Sequence, residues 1–172
     1  MTGPGGWAEP DGTSGPDVPA PVLVLGVGNE LFTDEGLGCV AVRRIAELGL
    51  PGVDVLDGAT LGLSLLPEIS ERSALLLLDA VVADGAVPGD LLEFHGDQVP
   101  ARYRLTVSVH QIGVEEALAA AEFAGRRPPV LAAVGLVPAD LGVGVGLSPL
   151  TASRLDALVD RALVILSTWG CR

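Results

Sequence analysis

One stretch near the N-terminus, PVLVLGVGNELFTDEGLGCVAVRRI (residues 21–45), decides the fold. Its residues 22–25 form a continuous apolar run, which is typical of a parallel strand covered on both faces. Gly26 and Gly28 follow, and glycine lets the backbone turn sharply close to a neighbouring segment. The apolar residues of the second half recur at helical spacing. The stretch therefore predicts a strand, a glycine turn and an amphipathic helix.

The turn between this strand and this helix carries polar residues. Asn29 can hold an irregular turn with its own side chain. Thr33 and Asp34 are residue types that cap helix N-termini. Glu35 is predicted to lie at the strand-to-helix corner, where open α/β sheets bind their ligands. The helix dipole alone also favours an acidic residue there, so Glu35 by itself does not establish a site.

The rest of the chain alternates strand and helix patterns. Strand-like apolar runs occupy residues 53–56, 74–78, 91–95 and 130–137, and helix-like patterns occupy residues 61–72, 111–124 and the segment after Ser148-Pro149. The linker before residues 91–95 is too short for a parallel crossover, so this strand is predicted to run antiparallel at a sheet edge. Residues 102–109 fit a loop or a strand. The alternation predicts an α/β sheet with helices on both faces.

Composition excludes several classes of protein. The chain has 172 residues, enough for one domain with a sizeable core, and a mean hydropathy of +0.50 excludes a disordered protein. The formal net charge of −12 argues against nucleic acid or an anionic membrane as partner. Residues 1–20 are expected to be a disordered tail before a single domain at residues 21–170. They show no secretory signal, and no run is long enough to span a membrane, so we expect a cytoplasmic protein.

The glycine turn after the first strand partly fits a nucleotide-binding module. The fingerprint G-x-G-x-x-G requires a third glycine where this chain has Leu31. Asp57 closes the second strand, as the fingerprint requires, but it lies somewhat further from the glycines than the usual offset of about 20 residues. Asp34 and Glu35 would repel a pyrophosphate. Nucleotide binding remains an alternative interpretation.

Three polar residues at the ends of predicted elements could converge on a metal. Asp79 closes an apolar strand, and a buried carboxylate needs a partner, which could be a backbone amide, an arginine or a metal. His110 precedes a predicted helix and could equally be a loop residue without a function. With Glu35, these residues offer two carboxylates and an imidazole, which suit nickel or zinc. No residue is marked as a nucleophile, because the chain has no G-x-S-x-G motif. Cys39 and Cys171 form neither a disulfide framework nor a zinc motif. Ser108 lies close to His110 in the sequence, but this proximity does not establish a catalytic triad.

The segment GVGNELFTDEGLG (residues 26–38) resembles the N-terminal signature of the hydrogenase maturation endopeptidases, which process the large subunit of [NiFe]-hydrogenases. The resemblance extends over residues 21–168. It continues through Asp57-Gly58 and Thr60, Leu78-Asp79-Ala80, SVHQIG (residues 108–113), GLVP (residues 135–138) and GLSP (residues 146–149).

This resemblance implies a fold, a reaction and a site. The fold is a three-layer sandwich, with a twisted, mostly parallel five-stranded sheet that has one antiparallel strand. The reaction is removal of a C-terminal peptide from the large-subunit precursor after nickel insertion. We expect the protein to be a monomer, although the sequence does not identify its oligomeric state. Glu35, Asp79 and His110 would be both catalytic and nickel-binding, with the nickel supplied by the substrate. Substrate recognition is expected from Gly28, Asn29, Asp57, Gly58, Ala59 and Thr60.

Some questions stay open at the level of sequence. Ala59 stands where the family usually has the second glycine of D-G-G-T, and a positive φ there would strain the loop. The nickel could polarise the scissile carbonyl or activate a water, or one carboxylate could act as the base. A nickel-sensing chaperone that binds the precursor without cutting it would use the same residues.

Overall fold

We describe the fold from a computed structural model of the chain. It describes residues 21–103 and 109–171, and for residues 101–103 and 109–112 the backbone alone. The predicted tail at residues 1–20, Ser108 and most of the ambiguous segment 102–109 lie outside the described residues.

Five strands and five α-helices make up the described chain. They are β1 (Val22–Val27), α1 (Leu37–Ala46), β2 (Val53–Ala59), α2 (Leu66–Ile69), β3 (Ala74–Ala80), β4 (Leu91–His95), α3 (Gln98–Tyr103), α4 (Val109–Phe123), β5 (Val130–Leu136) and α5 (Pro149–Thr168). Two 3-10 turns, Thr33–Gly36 and Gly62–Leu65, lead into α1 and α2. Within the described part of the chain, none of the helices combines the length and hydropathy needed to cross a lipid bilayer.

The strands form one sheet in the order β2-β1-β3-β5-β4. β1 pairs in parallel with β2 and β3, and β3 pairs in parallel with β5. β4 pairs antiparallel with β5 at the edge of the sheet. The predicted α/β class is confirmed, including the single antiparallel strand at residues 91–95.

Two apolar cores cover the two faces of the sheet. One contains Leu76 and Leu78 of β3 and packs against α1 and α5. The other contains Leu75 and Leu77 of β3 and packs against α2 and α4. Because side chains alternate along a strand, Asp79 belongs to the second face, the one that α4 covers.

Glycines bring α1 directly onto the strand ends. A Cβ at Gly38 would lie 2.2 Å from the carbonyl oxygen of Leu78 and 2.3 Å from that of Val27. A Cβ at Gly26 would lie 2.2 Å from the carbonyl oxygen of Gly38. Real Cβ atoms do not approach so closely, so the first turn of α1 rests on the ends of β1 and β3. These glycines serve helix–strand packing.

Several predicted boundaries and roles are wrong. Thr33 and Asp34 do not cap α1: its N-cap is Gly36, and no side chain caps it. The predicted helix over residues 61–72 is a 3-10 turn followed by the short α2, because Pro67 can occupy only a first helical turn. Helix α3 had no recognised signal. His110 lies in the first turn of α4 instead of preceding the helix.

The start of α5 follows the prediction. Ser148 is its N-cap, and its hydroxyl accepts a hydrogen bond from the Thr151 backbone N–H, with proline at the first helical position. This cap fixes the segment that leads from β5 back over the sheet.

Candidate active site

The turn that carries Glu35 lies above the carboxyl end of the central strands. The 3-10 turn Thr33–Gly36 contacts β3. Gly28 has a φ of +143°, and a Cβ there would lie 1.9 Å from the carbonyl oxygen of Glu35. Only glycine therefore lets the end of β1 pass so close beneath this turn. The backbone of Glu35 is held at the predicted strand-to-helix corner, and its side chain is partly buried.

Asp79 is a buried carboxylate at the same carboxyl end of the central strands. It is 1% exposed, and its Oδ1 accepts a hydrogen bond from the Ala80 backbone N–H at 2.8 Å. A backbone amide was one of the partners that the sequence left open. Asp79 lies on the sheet face that α4 covers.

Helix α4 begins near the carboxyl ends of the strands. Gly113, one turn after His110, packs against Gly62, since a Cβ at Gly113 would lie 2.4 Å from the Gly62 Cα. Gly62 follows closely after the end of β2. The backbone of His110 therefore lies near the strand ends. Its side chain is outside the described part of the structure. That Glu35, Asp79 and His110 share one metal remains a prediction.

Asp34, next to Glu35, has a role that the sequence did not reveal. Its side chain is 0% exposed and accepts five hydrogen bonds. The donors are the backbone N–H groups of Ala139 (2.8 Å), Asp140 (2.9 Å) and Ser148 (2.7 Å), and the hydroxyls of Ser148 (2.9 Å) and Thr151 (2.8 Å). The carboxylate therefore fastens the turn bearing Glu35 to the segment between β5 and α5.

These contacts also set the charge state of Asp34. Burial alone would raise the pKa of this carboxyl. The N–H groups of Ser148, Asp140 and Ala139 and the Thr151 hydroxyl outweigh burial and hold the pKa of Asp34 below its usual value. Asp34 is thus ionised at neutral pH, and its charge is compensated by donors instead of by a cation.

The lowered pKa of Asp34 predicts a specific acid response. Its contribution to stability is fully present above the unfolded-state value of 3.8 and is lost as the pH falls through the lower folded-state pKa. We expect the Asp34→Asn variant to be less stable than the parent at pH 7, and to lose less of its free energy of unfolding below pH 4. Urea denaturation at both pH values measures this difference. A parallel loss in the two proteins would contradict it.

A second polar cluster flanks the turn on its outer side. Glu30, Cys39 and Asp57 place possible ligand atoms within 4.8 Å of one another. The Arg43 guanidinium pairs with Glu30 at 2.5 Å and with Asp57 at 3.3 Å, so a cation already lies between the carboxylates. Burial, reinforced by Asp57, raises the pKa of the Cys39 thiol to about 12. The thiol stays protonated, and Arg43 neutralises part of the charge of the two carboxylates, so we interpret the cluster as a structural link between α1 and the ends of β1 and β2.

The loop at the end of β2 contains the predicted recognition residues. Ala59 has a φ of +39°, so the positive φ that the sequence raised as a possibility is present. Its carbonyl accepts a hydrogen bond from the Gly28 N–H at 3.1 Å, and its N–H donates to Asp57 Oδ1 at 3.2 Å. The loop and the glycine turn thus form one connected surface.

Relief of strain at Ala59 gives a stability prediction. A left-handed alanine costs about 1–2 kcal/mol, while glycine adds about 0.4–1 kcal/mol of unfolded-state entropy. We expect Ala59→Gly to raise the free energy of unfolding by about 0.5–1 kcal/mol, measured by urea denaturation. The matched change Ala120→Gly, inside α4, should lower it by a similar amount. Equal destabilisation by both changes would show that Ala59 is not strained.

Known proteins resemble this chain over most of its length. A family model described as hydrogenase maturation protease (HycI) matches residues 40–165. The hydrogenase 2 maturation protease of Escherichia coli strain K12 is 35% identical over 151 residues, which cover 87% of this chain and 92% of that protein. The hydrogenase expression/formation protein HupD of Rhodobacter capsulatus is 40% identical over 156 residues, which cover 88% and 74%.

Solved structures agree with this match. The hydrogenase maturating endopeptidase HybD from E. coli superposes with a TM-score of 0.83 at 33% identity, covering 88% of this chain and 94% of that one. The [NiFe] hydrogenase maturation protease HybD from Thermococcus kodakarensis gives a TM-score of 0.69 at 27% identity, covering 84% and 97%. The family model over residues 40–165 and the relatives at 35% and 40% identity over 87% and 88% of this chain show that the chain belongs to the hydrogenase maturation protease family.

Proposed function

We propose that this chain removes the C-terminal extension of a [NiFe]-hydrogenase large-subunit precursor, and that it recognises the nickel already inserted there. Family membership supports the processing of a hydrogenase precursor. The observation that carries the finer proposal is the location of Asp79, a carboxylate almost fully buried near the end of β3, the strand that the Glu35 turn contacts. The carboxyl ends of the strands of an open α/β sheet are where such folds bind their ligands, and a carboxylate there can bind a divalent cation that the substrate carries.

The chemistry of the donor set fits nickel. Glu35 and Asp79 offer carboxylate oxygens, and His110 offers an imidazole nitrogen, a mixture that a borderline divalent ion accepts. In our proposal these residues bind the nickel of the precursor and so hold the adjoining peptide at the strand edge. The nickel, when present in the substrate, supplies Lewis-acid polarisation.

The protein residues would then have distinct tasks. Asp79 is rigid, because it lies within a sheet strand and accepts a hydrogen bond from the next backbone amide. It is suited to fixing the position of the metal-bearing peptide. Glu35 is only partly buried, and in our proposal it would act as the base toward the attacking water. The Gly28–Asn29 turn and the loop Asp57–Thr60 would bind the chain on either side.

Incubation with the precursor tests this proposal. The purified chain is mixed with the large-subunit precursor of the same organism, in nickel-loaded and nickel-free forms, and the precursor mass is measured over time. We expect shortening at the C-terminus with the nickel-loaded form only. Shortening of both forms would reject nickel recognition while leaving the protease assignment intact. Binding without shortening of either form would favour the nickel-sensing chaperone.

A further inference from the structure

A short, exposed stretch of backbone, residues 142–145, lies beside the Glu35 turn. Gly144 forms a parallel bridge with Phe32. Its N–H donates to the Leu31 carbonyl at 2.9 Å, and its carbonyl accepts from the Thr33 N–H at 2.9 Å. The Thr33 hydroxyl also donates to the Asp140 and Gly142 carbonyls. This stretch is therefore a one-bridge strand, aligned along the turn that carries Glu35.

The outer side of this strand is unpaired. Among the described residues, no hydrogen bond uses the N–H or C=O of Val143 or Val145. The two valines are 85% and 87% exposed. Neighbouring Leu31 and Leu141 are also exposed. Unpaired strand backbone with exposed β-branched side chains is the arrangement onto which an extended peptide adds.

The position of this strand indicates what occupies it. Gly144 bonds to Thr33, two residues from Glu35, and Asp34 anchors the residues on both sides of the strand. A peptide paired with Val143 and Val145 would therefore lie beside the Glu35 turn, with residues 142–145 between the two. A protease needs its substrate chain extended at that place. The net charge of −12 disfavours an acidic peptide, and the valines favour apolar side chains.

We propose that residues 142–145 are the docking edge for the precursor, and that an extended, apolar segment next to the scissile bond pairs with Val143 and Val145. This inference rests on the proposed function and deepens it. Backbone hydrogen bonds would supply affinity, and the two valine side chains would select apolar residues at alternate substrate positions. The docking edge would then hold this segment while Glu35 and Asp79 act at the adjacent scissile bond.

Steady-state processing of the nickel-loaded precursor tests the docking edge. The double variant Val143→Pro/Val145→Pro removes both N–H donors at positions with no positive φ. We expect KM to rise at least about tenfold with kcat changed less than about twofold, because only uniform binding is lost. Val143→Ala/Val145→Ala keeps the donors and should raise KM by a few-fold. An unchanged KM in a folded proline variant would overturn the proposal.

Two further measurements separate this proposal from its alternatives. The control Phe123→Ala changes a side chain that is 96% exposed at the C-terminal end of α4, outside the docking edge, and should leave KM unchanged. Hydrogen exchange on the unmodified protein should show slower exchange of the residue 142–145 amides when precursor binds. Protection without any cleavage would retain the docking edge and reject the protease; cleavage without protection would reject the docking edge alone.

Discussion

Asp79→Asn is expected to abolish processing of the nickel-loaded precursor while leaving the domain folded. The amide keeps the size of the carboxyl group, and its oxygen can still accept the hydrogen bond from the Ala80 N–H. What disappears is the negative charge, and with it the attraction for a metal cation. We expect the rate to fall by at least about 10²-fold, in line with the loss of a positioned catalytic carboxylate.

The control for this change is Asp84→Asn, an exposed carboxylate on the loop after β3. It alters the net charge equally, so any general electrostatic effect on precursor binding appears in both variants. The processing rate is measured by precursor mass, and folding by circular dichroism and thermal unfolding. A folded Asp79→Asn protein that matches the Asp84→Asn rate would remove Asp79 from the site.

Asp34→Ala is expected to give the largest loss of stability. The change leaves three backbone N–H groups and two hydroxyls without their acceptor inside the protein. Hydrogen bonds to a charged group contribute about 1.5–3 kcal/mol each, but relaxation and water recover part of the sum. We expect the free energy of unfolding at pH 7 to fall by about 3–4 kcal/mol, measured by urea denaturation.

A neighbouring aspartate provides the comparison. Among the described residues, the exposed Asp140 carboxylate accepts one hydrogen bond, from the Gly142 N–H at 2.8 Å. Asp140→Ala should cost less than about 1 kcal/mol, because water replaces the lost acceptor. Similar losses of unfolding free energy in the two variants would mean that the buried hydrogen bonds of Asp34 stabilise the protein no more than the single bond of an exposed turn.

The strands were predictable because their signal is local. The apolar run at residues 74–78 identifies β3, and the short linker before Leu91 is enough to make β4 antiparallel. Ser148-Pro149 marks the start of α5 for the same reason, since a cap acts within one helical turn. Helix α3 lacks such a signal: it is short, and its residues 98–103 include a proline and no clear apolar period.

The role of Asp34 could not be read from local pattern. Its residue type and place suggested a helix cap, yet its donors lie 105 to 117 residues further along the chain. Only the tertiary arrangement brings Ser148 and Thr151 to it. The alternation of strands and helices places the carboxyl ends of β1 and β3 at one rim of the sheet, so the contact between the Glu35 turn and β3 was predictable. The burial of Asp34 was not.

The Asp34 carboxylate accepts hydrogen bonds from donors 105 to 117 residues later in the chain, and this separation affects the order in which the protein folds during translation. β1, α1 and β3 can pair as soon as they emerge, because their contacts lie within the first half of the chain. The turn above them gains its anchor only after Ser148 and Thr151 have been translated. We therefore expect a nascent chain to pair β1 with β3 first and to anchor the Glu35 turn only after residues 148–151 have been translated.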